Sequence, residues 1–118
     1  MKAININDHD FSFTEWILDL LKSVETRNKP TLRSLVGQRV GIIRTGCGQA
    51  MLVGYVDVVK EIQYDTPTQF RFDYQRHRVS PGSKYDMFGS VKYGYVLANP
   101  EKCEPIPVKT KGIVIRNI

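Results

Sequence analysis

The first part of the chain shows a strand pattern followed by a helix pattern. Polar and apolar side chains alternate over residues 2–7, and this period of two predicts a short strand. Residues 12–15, Ser-Phe-Thr-Glu, have the spacing of a capping box, in which the hydroxyl of Ser12 accepts a hydrogen bond at the helix start. Phe11 precedes this box and is placed to pack against Trp16. The sequence therefore predicts a helix that begins after Ser12.

The predicted helix has an apolar face and a cation near its end. Apolar side chains recur at helical spacing, namely Trp16, Ile17, Leu20 and Leu21. Glu15 and Asp19 lie between them and would face water. Lys22 falls in the predicted last turn, where a positive charge complements the helix dipole. Pro30 disfavours helix at Lys29, so the segment that follows Lys22 is expected to leave the helix.

Strand patterns dominate the remainder of the chain. Strands are predicted at residues 40–44, 51–59, 93–98 and 112–115. Gly46, Cys47 and Gly48 lie between the first two strands and predict a hairpin turn. A proline-interrupted stretch, residues 105–107, separates the last two strands.

Two short helical segments complete the predicted order. Residues 31–36 are expected to form a short helical turn, and residues 66–69, Thr-Pro-Thr-Gln, have the pattern of a second helix start. Phe70, Tyr74 and His77 would share one face of that helix. The order of strand, helix, hairpin, helix and closing strands predicts an α+β fold with a mainly antiparallel sheet or small barrel.

Composition narrows the class of protein and of partner. The 118 residues, 42% hydrophobic and 25% charged, predict one globular domain over residues 1–118. No apolar run approaches the roughly 20 residues of a membrane helix, and the opening residues do not have the pattern of a signal peptide. With only two cysteines, a reducing, cytoplasmic location is expected. The net charge of +5 favours an anionic partner such as a nucleic acid or nucleotide. His9 and His77 have no second ligand at metal-binding spacing, so neither a metal nor a cofactor is predicted.

The spacing of Lys22, Glu25 and Arg27 leaves two interpretations open. On a strand, Glu25 and Arg27 would project to one face, and Lys22 can turn toward the same space. Lys22 and Arg27 could then bind a phosphate while Glu25 orients Arg27, or Arg27 could lower the pKa of Lys22 for catalysis. The alternative is a surface ion pair that contributes about 0–1 kcal/mol.

Three further arginines are candidate ligand contacts. Arg44 precedes the Gly-Cys-Gly turn, whose amides could bind a phosphate, although a hairpin turn also explains both glycines. Residues 70–78 interleave aromatic side chains with cations, as single-strand binding requires. A capped helix with its aromatics in the core accounts for the same pattern and leaves Arg76 and Arg78 exposed as a rim for an anion.

Two stretches together resemble a known family. The first is the predicted helix of residues 16–21 running into Lys22-x-x-Glu25-x-Arg27. The second is residues 93–100, Tyr-Gly-Tyr-Val-Leu-Ala-Asn-Pro, with its continuation through residues 105–109 and 112–115. This combination resembles the ASCH family within the PUA-like superfamily of small β-barrels. The glycine that usually opens the family motif two residues before the lysine is Leu20 here.

The resemblance implies a partly open barrel with a helix near the N-terminus, short helices at its rim, and a cleft that carries Lys22, Glu25 and Arg27. Family members are thought to bind RNA or other nucleic acids. A related branch hydrolyses acetylated cytidine nucleosides with a lysine, a threonine three residues later and a distant carboxylate. Here Glu25 occupies the threonine position, and Thr26 would point to the opposite side of an extended segment. The candidates for the carboxylate are Glu61, Asp65 and Asp73.

The sequence thus predicts a module that binds single-stranded RNA or a nucleotide-like ligand through a basic cleft. The predicted binding residues are Lys22, Glu25 and Arg27 in the cleft, with Arg44, Arg76 and Arg78 at its rim. The alternative is a small hydrolase acting on an acylated nucleoside or on RNA, with Lys22 and Glu25 as the acid–base pair. A module that only contacts another protein is the third interpretation, and the pattern predicts no particular oligomeric state.

Overall fold

Six strands pair into one sheet in the computed structural model, which describes residues 1–109 and 115–118. In chain order the strands are β1 (Lys2–Asn7), β2 (Val24–Arg27), β3 (Arg39–Thr45), β4 (Met51–Tyr64), β5 (Lys92–Pro107) and β6 (Ile115–Asn117). The helices are α1 (Phe13–Leu18), α2 (Pro67–Phe72) and α3 (Tyr74–His77), with a 3₁₀ turn at Arg33–Leu35. None of these helices is long and apolar enough to span a bilayer.

The sheet is mixed and mainly antiparallel, as predicted. Its strand order is β2-β5-β4-β3-β1-β6. Only β1 and β3 pair in parallel among the described strands, and the other neighbours are antiparallel. These pairings leave β2 and β6 as the edges of the sheet. They confirm an α+β fold and do not amount to a closed barrel.

The strands extend beyond their predicted limits where long-range pairing supports them. β1 has the predicted bounds, and the hairpin of β3 and β4 is confirmed. β5 continues through Pro105 and Pro107, which were expected to interrupt it. β2 pairs with β5 only between Tyr93 and Val96, so both prolines lie where that edge of β5 has no partner strand, and the missing N–H is tolerated there. The predicted strand at residues 112–115 lies outside the described residues except for Ile115.

α1 starts as predicted but without the predicted capping box. Ser12 makes no side-chain cap hydrogen bond. Instead the Asp8 carboxylate, at the end of β1, accepts from the backbone N–H of Thr14 at 3.1 Å and from the Thr14 hydroxyl. The carboxylate reaches the helix start from the end of the preceding strand and satisfies the N–H of Thr14, one of the first-turn N–H groups that have no partner within the helix.

α1 is one turn shorter than predicted, and Lys22 lies beyond it. The helix ends at Leu18, and Leu20 adopts a left-handed conformation with φ of +66°. The N–H groups of Leu21 and Lys22 both donate to the carbonyl of Trp16. As a result Leu20 is 77% exposed and Leu21 is 51% exposed, so neither belongs to the core face to which the helical spacing assigned them.

The conformation of Leu20 yields a stability prediction. A residue other than glycine pays a steric penalty at positive φ, and the exposed Leu20 side chain buries little surface in return. Leu20→Gly is therefore expected to raise the free energy of unfolding by about 0.5–1 kcal/mol. Urea unfolding checks this, with Leu21→Gly as the matched control because Leu21 is exposed at ordinary φ and should be destabilised. Equal effects of the two substitutions would contradict the prediction.

Two of the apolar clusters pack the helices onto the rest of the fold. The larger packs Ile17 of α1 and Leu35 against the inner face of the sheet. The smaller contains Tyr64, Phe70 and the neighbouring chain around α2 and α3. Tyr85 packs against both clusters. The helix predicted from residue 66 has its Thr66 cap confirmed, with the hydroxyl accepting from the N–H of Gln69, but it divides at Asp73 into α2 and α3.

Candidate functional site

A cleft of about 510 Å³ opens between β1 and β2. β1 lies near one end of the sheet and β2 forms the other edge, so these strands are not neighbours in hydrogen bonding. The Arg27 guanidinium spans the gap by donating from Nη2 to the backbone carbonyl of Asn5 at 3.0 Å. Phe13 and Tyr85 form an aromatic part of the wall. The volume lies within the range of small-molecule sites in proteins.

Lys22, Glu25 and Arg27 converge in this cleft, as their spacing predicted. Glu25 lies between the two cations, with Oε1 3.7 Å from Lys22 Nζ and Oε2 2.9 Å from Arg27 Nη2. The strand places Glu25 and Arg27 on one face, and Lys22 reaches them from the loop after α1. The side chains of Lys22 and Glu25 are only 1% and 9% exposed, so the trio is not a surface ion pair.

The Lys22 ammonium is held by contacts from distant parts of the chain. Nζ donates to the backbone carbonyl of His77 at 2.5 Å and lies 4.8 Å from the centroid of the Phe13 ring. Burial lowers the pKa of Lys22 from 10.5 to about 8, Glu25 opposes this change, and Arg27 and Lys92 add to it. From the sequence, a lowered pKa of Lys22 was expected from the charge of Arg27, whereas burial is its main cause. Lys22 therefore remains mostly protonated at neutral pH.

His77 is a structural residue that positions Lys22. Its Nδ1 accepts from the N–H of Val79 at 2.9 Å, so the ring proton lies on Nε2, which donates to the Phe70 carbonyl at 2.6 Å. The ring stacks on Phe70, with centroids 4.0 Å apart. Burial lowers the pKa of His77, which keeps the ring neutral beside the Lys22 ammonium. The aromatic face predicted for this segment is confirmed for Phe70 and His77, which are both fully buried.

Lys92 is a cleft residue that the sequence analysis missed. It is 6% exposed, lines the cleft, and has its ammonium 5.6 Å from the centroid of the Phe70 ring. Burial lowers the pKa of Lys92. A single lysine at the start of a strand has no distinguishing pattern, and its strand partner, Tyr64 on β4, is distant in the sequence. Its proximity to the recognised motif at residues 93–100 is the only local signal.

The three predicted rim arginines lie outside the cleft lining. Arg44 is on β3, where its charge lowers the pKa of the Asp8 carboxyl while burial raises it by more. Arg76 pairs with Asp73, with 2.7 Å between Nε and Oδ1. Arg78 donates from Nε to the backbone carbonyl of Leu21. The structure does not bring these three arginines together with Lys22, Glu25 and Arg27.

The candidate carboxylates for hydrolysis are also engaged outside the cleft. Glu61 accepts from Arg33 and from the hydroxyl of Tyr95. Asp65 accepts from Gln63 and is exposed, and Asp73 is held by Arg76 and Tyr64. Thr26 lines the cleft together with Glu25, although the alternation of side chains along β2 predicts opposite faces for these two neighbours.

The cleft is suited to an anion with a planar group. Among its described lining residues, Lys22, Arg27 and Lys92 are cationic and Glu25 is the one acidic residue. Amide side chains also line it, at Asn5, Asn7 and Asn28. Among residues 1–109 and 115–118, no three His, Cys, Asp or Glu side chains are close enough to hold a metal ion. The Gly-Cys-Gly turn is confirmed as a turn, with positive φ at Gly46 and Gly48, and Gly46 borders the cleft.

Comparisons with known proteins give a match at the level of structure. No family model and no curated protein matches the sequence. A serine-to-alanine variant of the ASCH protein from Zymomonas mobilis is similar to the chain with a TM-score of 0.78 and 16% identity, over 99% of this chain and 87% of that one. The ASCH structure from the same organism has a TM-score of 0.74 and 18% identity, over 91% and 73%. A tyrosine-to-phenylalanine variant has a TM-score of 0.74 and 19% identity, over 91% and 75%. The chain therefore has an ASCH-like fold, as its motifs predicted.

Proposed function

We propose that the cleft binds a nucleic acid or nucleotide-like ligand, and single-stranded RNA in the first place. The observation that carries the proposal is the charge of the lining, where three cations face one carboxylate. An excess of positive charge in a concave, partly desolvated site attracts anions more strongly than the same charge on an open surface. The resemblance to a family thought to bind RNA supports the same ligand class.

Recognition in the cleft would combine charge with base contacts. Tyr85, which is half-buried in the cleft wall, offers aromatic surface to an unstacked base, and the asparagine amides can donate to and accept from base edges. Both contacts require bases that are not paired in a duplex, which favours a single strand. We assign Arg44, Arg76 and Arg78 a role in long-range attraction of the strand.

Two further features belong to this proposal. The sheet would curl into a partly open barrel, because three register shifts bend the β4–β5 pair and Arg27 ties β2 to β1. The free thiols of Cys47 and Cys103 fit a reducing compartment such as the cytoplasm.

The test of RNA binding uses Arg27→Gln, which removes one cleft cation and leaves Lys22 paired with Glu25. Fluorescence anisotropy with a labelled single-stranded RNA should show a roughly tenfold loss of affinity relative to wild type. For about three phosphate contacts, the slope of log K against log salt should be about −2 in wild type and shallower in the variant. Lys60→Gln is the control, because Lys60 is an exposed lysine outside the cleft lining.

The Lys60→Gln control distinguishes RNA binding in the cleft from attraction by the net positive charge of the protein. Lys60→Gln removes the same charge, so it should leave affinity nearly unchanged. Equal losses in the two variants would mean that only net charge matters, and absence of binding by wild type would overturn the proposed function. Circular dichroism spectra of all three proteins verify that they are folded.

A hydrolase acting on an acylated nucleoside or on RNA is the second candidate. It is favoured by the pKa of Lys22, lowered to about 8 beside the Glu25 carboxylate, because such an amine exchanges a proton more readily. Thr26 lines the cleft, but Glu25 and not a threonine stands three residues after Lys22, which counts against the threonine mechanism. We expect no release of acetate from acetylated cytidine by wild type. Release that is lost in Lys22→Met would favour the hydrolase instead.

A further inference from the structure

Lys92 is a buried cation in the cleft wall. It is 6% exposed, and its ammonium makes no hydrogen bond and no ion pair with the described residues. Its ammonium makes a cation–π contact with the Phe70 ring, whose centroid is 5.6 Å away. Buried lysines are normally paired, because an uncompensated charge in a protein interior is strongly unfavourable. Lys92 lines the cleft, so the missing anion can reach it from there.

The carboxylates near Lys92 are already engaged by other groups. Glu25 has one oxygen near Lys22 and the other bonded to Arg27. Asp86 is fully buried in its side chain and accepts from Arg71 and from the N–H groups of Gly82 and Met87. Both carboxylates attract Lys92 over a longer distance, while Lys22 and Lys92 repel each other. The cleft therefore holds two ammonium groups that repel each other, and among the described residues no carboxylate forms an ion pair with the second one.

We propose that Lys92 is the phosphate anchor of the cleft, so that the ligand is a nucleotide bound through its phosphate group. This inference rests on the proposed function and assigns its ligand a chemical class. A phosphate oxygen can accept from the Lys92 ammonium in a charge-assisted hydrogen bond, and its charge compensates both buried lysines. Lysine serves phosphates well because its ammonium is a compact point charge with three donors. A free mononucleotide and the backbone of RNA share this chemistry.

The decisive variant is Lys92→Met, which keeps most of the side-chain volume and removes the charge. Isothermal titration with the four ribonucleoside 5′-monophosphates should show a loss of affinity of about 10- to 100-fold for those that wild type binds. Binding of the corresponding nucleosides, which lack phosphate, should be unchanged. The unliganded variant should also unfold at the same or a higher temperature than wild type, because an unpaired buried charge is gone.

Matched variants and ligands decide between the possible outcomes. Lys60→Met should bind as wild type does, and Lys92→Arg, which restores the cation, should retain most of the nucleotide affinity. An oligoribonucleotide that binds tightly where mononucleotides do not would identify the phosphodiester of a strand as the source of the phosphate. In that case the loss in Lys92→Met is measured with that oligonucleotide.

Three results would overturn the inference. Nucleotide affinity that is equal in wild type and Lys92→Met would place the phosphate elsewhere while the proposed function stands. An equal loss for nucleosides and nucleotides would assign Lys92 to the base or to the fold instead. Wild type that binds none of these probes would remove the proposed function itself, and the phosphate anchor with it.

Discussion

Replacing Glu25 with leucine is expected to lower the free energy of unfolding by about 3–5 kcal/mol. Glu25 is the carboxylate that compensates two cations in the cleft, Lys22 at 3.7 Å and Arg27 at 2.9 Å. The Lys22 side chain is 1% exposed, so water cannot replace the lost carboxylate. Removing one member of a buried ion pair leaves the full desolvation penalty of the other. Urea unfolding at neutral pH measures the change.

A surface glutamate provides the matched control. Glu101 pairs with Arg39 at 2.9 Å, yet its side chain is 67% exposed. Glu101→Leu should therefore change the free energy of unfolding by about 0.5 kcal/mol or less. The double variant Lys22→Met/Glu25→Leu should recover part of the stability that Glu25→Leu loses, because the uncompensated ammonium is removed as well. If Glu25→Leu lowers the free energy of unfolding no more than Glu101→Leu does, Glu25 does not stabilise the fold by compensating Lys22 and Arg27.

The sequence could predict those parts of the site that depend on local spacing. A period of two on a strand places Glu25 and Arg27 side by side, whatever the rest of the chain does. The glycines of the turn and the Thr66 cap likewise follow from backbone requirements within a few residues. The resemblance of residues 16–27 and 93–100 to the ASCH family predicted the fold, which no short-range pattern defines.

The features that the sequence could not predict depend on contacts between distant residues. The end of α1 is set by the left-handed Leu20, whereas the helical spacing of apolar residues continues past it. The buried Lys22 ammonium donates a hydrogen bond to the carbonyl of His77, which is 55 residues away along the chain. Arg76 matches the pattern of a nucleic-acid contact but has Asp73 as its nearest partner. A cation in a sequence identifies a charge, and only the fold decides whether an acidic residue already neutralises it.

Lys22 should make the stability of the protein rise with pH. Its pKa is about 8 in the folded protein, while an unfolded chain restores the ordinary value of 10.5. Between these two values the unfolded state binds more protons, so the free energy of unfolding increases as pH rises from about 8 to 10.5. The same contribution is lost as pH falls back through the folded pKa. A difference of this size in pKa corresponds to about 3 kcal/mol.

The contribution of Lys22 is isolated by comparison with Lys22→Met. Lys92, whose pKa burial also lowers, acts in the same direction, while Tyr64 and Tyr95, whose pKa values are raised by burial, act in the opposite direction at higher pH. These groups remain in both proteins, so the difference between the two urea-unfolding series reports Lys22. Parallel curves would contradict the lowered pKa. A bound phosphate should raise the pKa of both lysines by adding a negative charge nearby, so saturating nucleotide should reduce the rise with pH in wild type and reduce it by less in Lys22→Met, where only Lys92 responds.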